Sequence, residues 1–263
     1  MKIETRYMTQ NPCFKTNRDI QVKGLMLHSV GVNQPDPLVF IRSWDKPDYD
    51  RACVHGFIGA GDAYITLPCM EKVGRAKRGW HAGGNANNTH IGIEMTEPRA
   101  IQYTGGANFK VLDHQAAVEH VRKTTQTAVE LFAMLCAYHR LDPMKDIISH
   151  AEGCRMGLAS NHGDPDHLWR GLGMVYNMDA FREAVNKRLR EEIEMTKEEL
   201  LSTEGTGDVP SPWAKEATEW AKKQGIFRGD GKGNYGWQQP ITREAVAQAL
   251  YNAFLTSARQ GLP

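Results

Sequence analysis

A chain of 263 residues with 41% hydrophobic and 24% charged residues has a soluble, globular composition and length for one medium domain with a small appendage. A net charge of +1 leaves no electrostatic footprint for nucleic acid, and no apolar run approaches the roughly 20 residues that span a bilayer. The five cysteines, Cys13, Cys53, Cys69, Cys136 and Cys154, are odd in number and lack a CxxC pair, which argues against a disulfide framework and a thiolate zinc finger.

The N-terminal stretch MKIETRYMTQNPCFKTNRDI has no apolar h-region, so synthesis in the cytoplasm without a signal peptide is expected. Short apolar runs bounded by polar, Gly or Pro residues predict strands at GLMLHSV (24–30), CVHGFIG (53–59), AYITLP (63–68), IGIEMT (91–96) and DIISHA (146–151). AGD (60–62) is a hairpin turn that makes the second and third antiparallel. Residues 112–143 predict one long helix, with Val118, Val121, Thr125, Ala128, Val129, Phe132, Leu135 and Cys136 at three- and four-residue spacing. Asp113 is its expected N-cap and Pro143 its stop. Strands interleaved with helices, one hairpin among them, indicate an α/β domain over 1–190, a mixed central β-sheet flanked by helices.

A further helix is expected at 178–201, and its charged end together with STEGTG (202–207) makes a linker over 191–207. Residues 208–263 form a small C-terminal helical module. Ser211 as N-cap and Pro212 start its first helix, Gly225 ends it, and Thr242 caps the second after a glycine-rich loop. Two such short helices make a marginal core, so the module is expected to need partners or copies of itself.

The segment SHAEGCRMGLASNHGDPDHLW (149–169) crowds His150, His162, Asp164, Asp166 and His167 together. Catalytic zinc takes three protein ligands and leaves a fourth position to water. His28 and His150 each stand late in an apolar strand whose alternation aims the ring at one face; taken singly, each reads more readily as a structural histidine. Asp164, fourteen residues after His150, completes a His/His/Asp set that spacing suggests without deciding. Cys154 is the weaker candidate because that acid follows it. Glu94, inside an apolar strand, is either an outward glutamate or a buried base whose pKa burial would raise.

Together LMLHSV, CVHGFIG followed by AYITLP, GWHAGG, HIGIEMT and the 149–169 segment resemble, in order and over about residues 20–180, the zinc-dependent N-acetylmuramoyl-L-alanine amidases. That family includes phage endolysins, bacterial autolysins and peptidoglycan recognition proteins. The closing segment is most similar to that of amidases from Gram-positive bacteria and their phages. The resemblance implies hydrolysis of the amide between the lactyl group of N-acetylmuramic acid and the L-alanine of the peptide stem. It implies one Zn2+ per chain on His28, His150 and Asp164, with Glu94 activating water and His162 as the basic residue that steadies the oxyanion. His55, Trp80 and His81 are expected to line the substrate groove, with a structural role as the alternative for His55. Many relatives have cysteine where Asp164 stands, although aspartate before proline is also a family form. Many have lysine where His162 stands, and a histidine there is cationic over only part of the pH range. Asp166 and His167 read as the start of a helix, with Asp166 the alternative ligand to Asp164; His114, His120 and His139 on the long helix are not expected to be ligands.

Beyond the linker, DVPSPWAKEATEWAKKQGIFRGDG and QQPITREAVAQAL resemble the two halves of a single S-layer homology repeat, with Thr242, Arg243 and Glu244 as its Thr-Arg-Glu signature. Such repeats usually occur in threes that bind secondary cell-wall polysaccharide. The resemblance therefore implies assembly of three chains, with Arg243 contacting an anionic glycan or, alternatively, standing solvated in the first helical turn. The whole reads as a peptidoglycan hydrolase acting at the bacterial cell wall, a phage or prophage endolysin released through a holin. The alternatives are a non-catalytic peptidoglycan-binding protein and a bacterial autolysin.

Overall fold

The computed structural model describes residues 1–16, 18–201, 210, 214–237 and 243–260. Gly24–Ser29 is buried at every position, as expected of a strand covered on both faces. It is the third strand in chain order: β1 (Lys2–Thr5), β2 (Asp19–Gln21), β3 (Gly24–Ser29), β4 (Gly56–Ile58), β5 (Asp62–Ile65), β6 (Arg75–Lys77), β7 (His90–Met95), β8 (Ile101–Gly105), β9 (Asn108–Val111) and β10 (Ile147–Ser149). The helices are α1 (Pro12–Lys15), α2 (Pro37–Trp44), α3 (His114–His139), α4 (Pro143–Asp146), α5 (His150–Arg155), α6 (Asp166–Gly171), α7 (Met178–Leu201), α8 (Lys215–Lys223) and α9 (Arg243–Gln260).

Among the described residues the main sheet runs β1-β5-β4-β7-β3-β10. Every neighbouring pair is parallel except the β4–β5 hairpin, so the sheet is mixed and mostly parallel. Helices flank it, as the interleaved sequence pattern requires. Side chains alternate across a strand, and the alternation sorts the core. Leu25 and Leu27 of β3 and Ile91, Ile93 and Met95 of β7 share one cluster with Val121, Ala128, Phe132 and Leu135 of α3 and Phe181 of α7. The intervening positions, Met26 and His28 on β3 and Gly92 and Glu94 on β7, turn to the other face. The β3–β7 register sets His28 beside Glu94. Two polar groups thus stand side by side at the ends of central strands.

Three boundaries differ from expectation. The predicted 53–59 strand shortens to β4 because Cys53 leaves the sheet and exchanges both backbone hydrogen bonds with Trp80. The long helix stops at His139, not Pro143: Arg140 takes the left-handed conformation (φ 60°), its N–H bonds Cys136 O, and Pro143 begins α4 instead. The third difference moves a candidate residue. His150 is not late in a strand but the first residue of α5, behind Ser149 as N-cap. Glu152 N–H donates to Ser149 Oγ at 3.1 Å and Ser149 N–H to Glu152 Oε2 at 2.9 Å, a capping box.

The chain divides into two compact units, residues 1–190 and 191–263. In the second, Gly225 after α8 has φ +67°, a backbone conformation that favours glycine. The loop that follows is tied by Asp230, which accepts from Lys232 N–H, Asn234 N–H and Asn234 Nδ2. Tyr235 stacks on Trp237 and Lys222 Nζ lies 4.2 Å over the Tyr235 ring. Trp220, Leu250 and Tyr251 stay exposed. The 202–207 linker, the Ser211–Pro212 start and Thr242 lie outside the described residues.

Candidate active site

Four elements converge on one cavity of about 690 Å³. β3 contributes His28, β7 contributes Glu94, the start of α5 contributes His150, and the loop before α6 contributes His162 and Asp164. The β8–β9 hairpin adds a wall with Tyr103, Gly106 and Ala107.

His28, His150 and Asp164 each offer a ligand atom, all within 4.8 Å of one another. His28 Nδ1 lies 3.0 Å from His150 Nδ1 and 3.3 Å from Asp164 Oδ2, while Asp164 Oδ1 is 3.6 Å from His150 Nδ1. Two imidazoles and a carboxylate are a zinc-type donor set, and all three line the cavity, where an exchangeable fourth ligand can enter. Protonation is compatible with that use. Burial, reinforced by His28, lowers the His150 pKa to about 4, so the ring is neutral at ordinary pH. Burial alone would push Asp164 up, but the His28 and His150 rings beside it outweigh that and hold the carboxyl below its usual value. The residues present fit a bound zinc ion.

Glu94 stands apart from the donor set. It is 8% exposed, lines the cavity, and its Oε2 has no hydrogen-bond partner among the described residues. Burial first, then the charges of Asp164 and Glu97, raise its pKa well above the usual carboxylate value. His162 is exposed at the rim, its ring 4.7 Å from that of His150 and its Nδ1 2.9 Å from Ser160 Oγ.

The other expected groove residues part company. His81 lines the cavity. His55 does not, which corrects the expectation: it is fully buried, its Nε2–H donates to Lys77 O at 2.7 Å and its Nδ1 accepts from Gly92 N–H at 3.0 Å. Burial lowers its pKa to about 4, and it serves as a structural tie between strands. Trp80 is half-buried against the cluster around Phe40 and Phe57 and is likewise no part of the cavity wall. Cys154 is outside the donor group, near Asn161. His114, His120 and His139 hydrogen-bond backbone carbonyls of Leu172, Thr96 and Cys69. Asp166 begins α6 and is no member of the donor group. Arg243 and Glu244 fall in the first turn of α9.

Sequence reasoning missed a second layer. His167 lies in the cavity wall, with Nε2 2.6 Å from Tyr103 Oη, and Tyr103 O–H donates to Glu97 Oε2 at 2.7 Å. Glu97 also accepts from Gly31 N–H, and burial pushes its carboxyl up to about 7. This chain ties the hairpin wall to the segment that carries Asp164. Ser160 was missed too, although it stands two residues before His162. No local pattern announces a contact between residues 64 positions apart, so the pairing of Tyr103 with His167 gave no signal.

Residues 18–167 match the family model of N-acetylmuramoyl-L-alanine amidase, and residues 207–247 match that of the S-layer homology domain. No curated protein sequence matches the chain. The fold is similar to the catalytic domain of XlyA at 18% identity and a TM-score of 0.50, covering 70% of this chain and 99% of that one. It is also similar to the Staphylococcus aureus hydrolase AmiA at 17% identity and a TM-score of 0.53, covering 74% of this chain and 86% of that one.

Proposed function

Because the chain belongs to the N-acetylmuramoyl-L-alanine amidase family, we propose that it is a zinc-dependent hydrolase cutting the amide between N-acetylmuramic acid and the L-alanine of the peptide stem. The observation that carries this reading is the buried Glu94, whose Oε2 has no partner among the described residues, in the same cavity as the His28, His150 and Asp164 donors. A buried carboxylate without a partner is costly, and its raised proton affinity suits it to general-base work.

Zinc held by His28, His150 and Asp164 would supply a Lewis acid for the lactyl carbonyl and an acidified water. Glu94 takes the proton of the attacking water and returns it to the departing alanine amine, serving as base and then as acid. Ser160 engages His162 at Nδ1, which leaves Nε2 as the ring nitrogen available to the developing oxyanion. Tyr103, tied to Glu97 and His167, holds the hairpin wall against the loop of Asp164.

The S-layer homology match supports a wall-anchoring tail that holds the enzyme on secondary cell-wall polysaccharide through Thr242, Arg243 and Glu244. A single repeat, with Trp220, Leu250 and Tyr251 exposed, supports self-association into a trimer that supplies three repeats. Light scattering at working concentration should then give three chains per particle; a monomer would count against it. The cellular role that unites lytic domain and anchor is that of a phage or prophage endolysin, acting on the host wall after release.

Digestion of purified walls tests the chemistry. Mass spectrometry should find new free L-alanine amino termini without new reducing sugar ends. New reducing ends alone would sink the amidase reading, and binding without any cleavage would favour a non-catalytic peptidoglycan-binding protein.

A further inference from the structure

Two hydrogen-bond chains ending on backbone carbonyls govern which ring nitrogen each ligand histidine can offer. A carbonyl oxygen only accepts, so a neutral imidazole facing one carries its proton on the facing nitrogen. His81 Nε2 lies 3.1 Å from His90 O, which places the His81 proton on Nε2 and leaves Nδ1 bare. That Nδ1 lies 2.9 Å from His28 Nε2, so His28 carries its own proton on Nε2 and donates it to His81. His28 Nδ1 is then bare, and it is the nitrogen that meets His150 and Asp164. The second chain has the same form. Ser160 O–H donates to Ala82 O at 3.1 Å and accepts from His150 Nε2–H at 3.2 Å, leaving His150 Nδ1 bare. Two bare nitrogens 3.0 Å apart beside a carboxylate repel one another until a shared cation sits among them.

The seat of His81 is built for this. A Cβ at residue 92 would meet the His81 ring at 2.4 Å, so glycine there makes room for it. Asn87 Oδ1 accepts from the backbone N–H of both His81 and Ala82 at 2.8 Å and fixes the segment.

We propose that His81 is a positioning residue of the metal site rather than a substrate contact: its Nδ1 holds the His28 proton on Nε2 and so presents His28 Nδ1 to the metal. The proposal rests on reading His28, His150 and Asp164 as that site. His81→Leu removes both hydrogen bonds; His81→Gln can accept from His28 through its amide oxygen and donate to His90 O through its amide nitrogen. In competition with a chromophoric chelator, the full chain carrying His81→Leu should bind zinc about 10–100-fold more weakly, with His81→Gln close to wild type. Nitrogen-resolved NMR of the metal-free wild type needs no variant and should show the His28 proton on Nε2. A His28 proton on Nδ1, or His81→Leu binding zinc as tightly as wild type, overturns the proposal. Failure of the wild type to take up zinc, with the His28 proton on Nε2, overturns the metal-site reading itself and is thereby distinguishable.

Discussion

Replacing Glu94 by glutamine is expected to lower the cleavage of purified walls by about 10²–10⁴-fold, the usual loss on removing a general base, while zinc content and fold are kept. The expectation comes from position before chemistry. Glu94 shares a sheet register with His28 yet is not in the donor group, so glutamine leaves the ligands untouched. The amide fills the same buried space but takes up no proton. The same substitution should change stability in the opposite direction. Glu94 titrates well above the usual carboxylate value, chiefly through burial. In the metal-free protein the native state therefore holds a proton that the unfolded chain has already released, in the window above the ordinary carboxylate pKa. Its contribution is present at low pH and is lost as pH rises toward the raised pKa. The melting temperature of metal-free wild type should fall, relative to Glu94→Gln, as pH increases from about 5 upward. Glu97 titrates near 7 and adds its own decline to both proteins, so the difference between them isolates Glu94. A Glu94→Gln protein that holds zinc and turns over at more than a tenth of the wild-type rate would remove Glu94 from the proton path.

The divide between what was legible in the sequence and what was not follows the range of the interactions. β3 and β7 were readable because continuous apolar runs are dictated locally by burial on both faces, and a histidine or glutamate inside such a run stands out against it. The α3 face was readable for the same reason, since its period is a property of the helix alone. The helix end at Arg140 was less so, because a left-handed cap on a residue other than glycine has no compositional marker. His150 shows a signal left unread: Ser149 and Glu152 form an S-x-x-E capping box that marks a helix start, but the apolar run before it suggested a longer strand. The pairing of β1 with β5 joins segments about 60 positions apart, and nothing in Lys2–Thr5 specifies that partner. His55, Trp80 and His81 illustrate the same limit within one site. The three look alike on a histidine- and tryptophan-marked groove, yet His55 is claimed by Lys77 O and Gly92 N–H, Trp80 by the apolar cluster, and only His81 reaches the cavity. Non-local partners made that choice.

The second large effect concerns the donor set. Asp164→Ala should take bound zinc from near one per chain to near zero and abolish wall cleavage, whereas Asp166→Asn should keep both. Proximity decides between the two acids. Asp164 brings its two oxygens within 3.3 and 3.6 Å of His28 Nδ1 and His150 Nδ1, while Asp166 lies in the first turn of α6 outside the group. A metal that binds only the native state stabilises it by about 4 kcal/mol when free metal exceeds its dissociation constant a thousandfold. Adding zinc should therefore raise the melting temperature of wild type and of Asp166→Asn, and leave that of Asp164→Ala unchanged. Asp164 also accepts the Ser29 N–H at 3.3 Å, so alanine removes a structural contact along with a ligand. Asp164→Asn separates the two: its amide oxygen can still accept from Ser29, but the neutral group is a poor zinc ligand. A metal-free melting temperature near wild type in Asp164→Asn, with no further rise on adding zinc, would assign the loss to coordination and not to the fold. Zinc retained by Asp164→Ala and lost by Asp166→Asn would instead move the third ligand into α6.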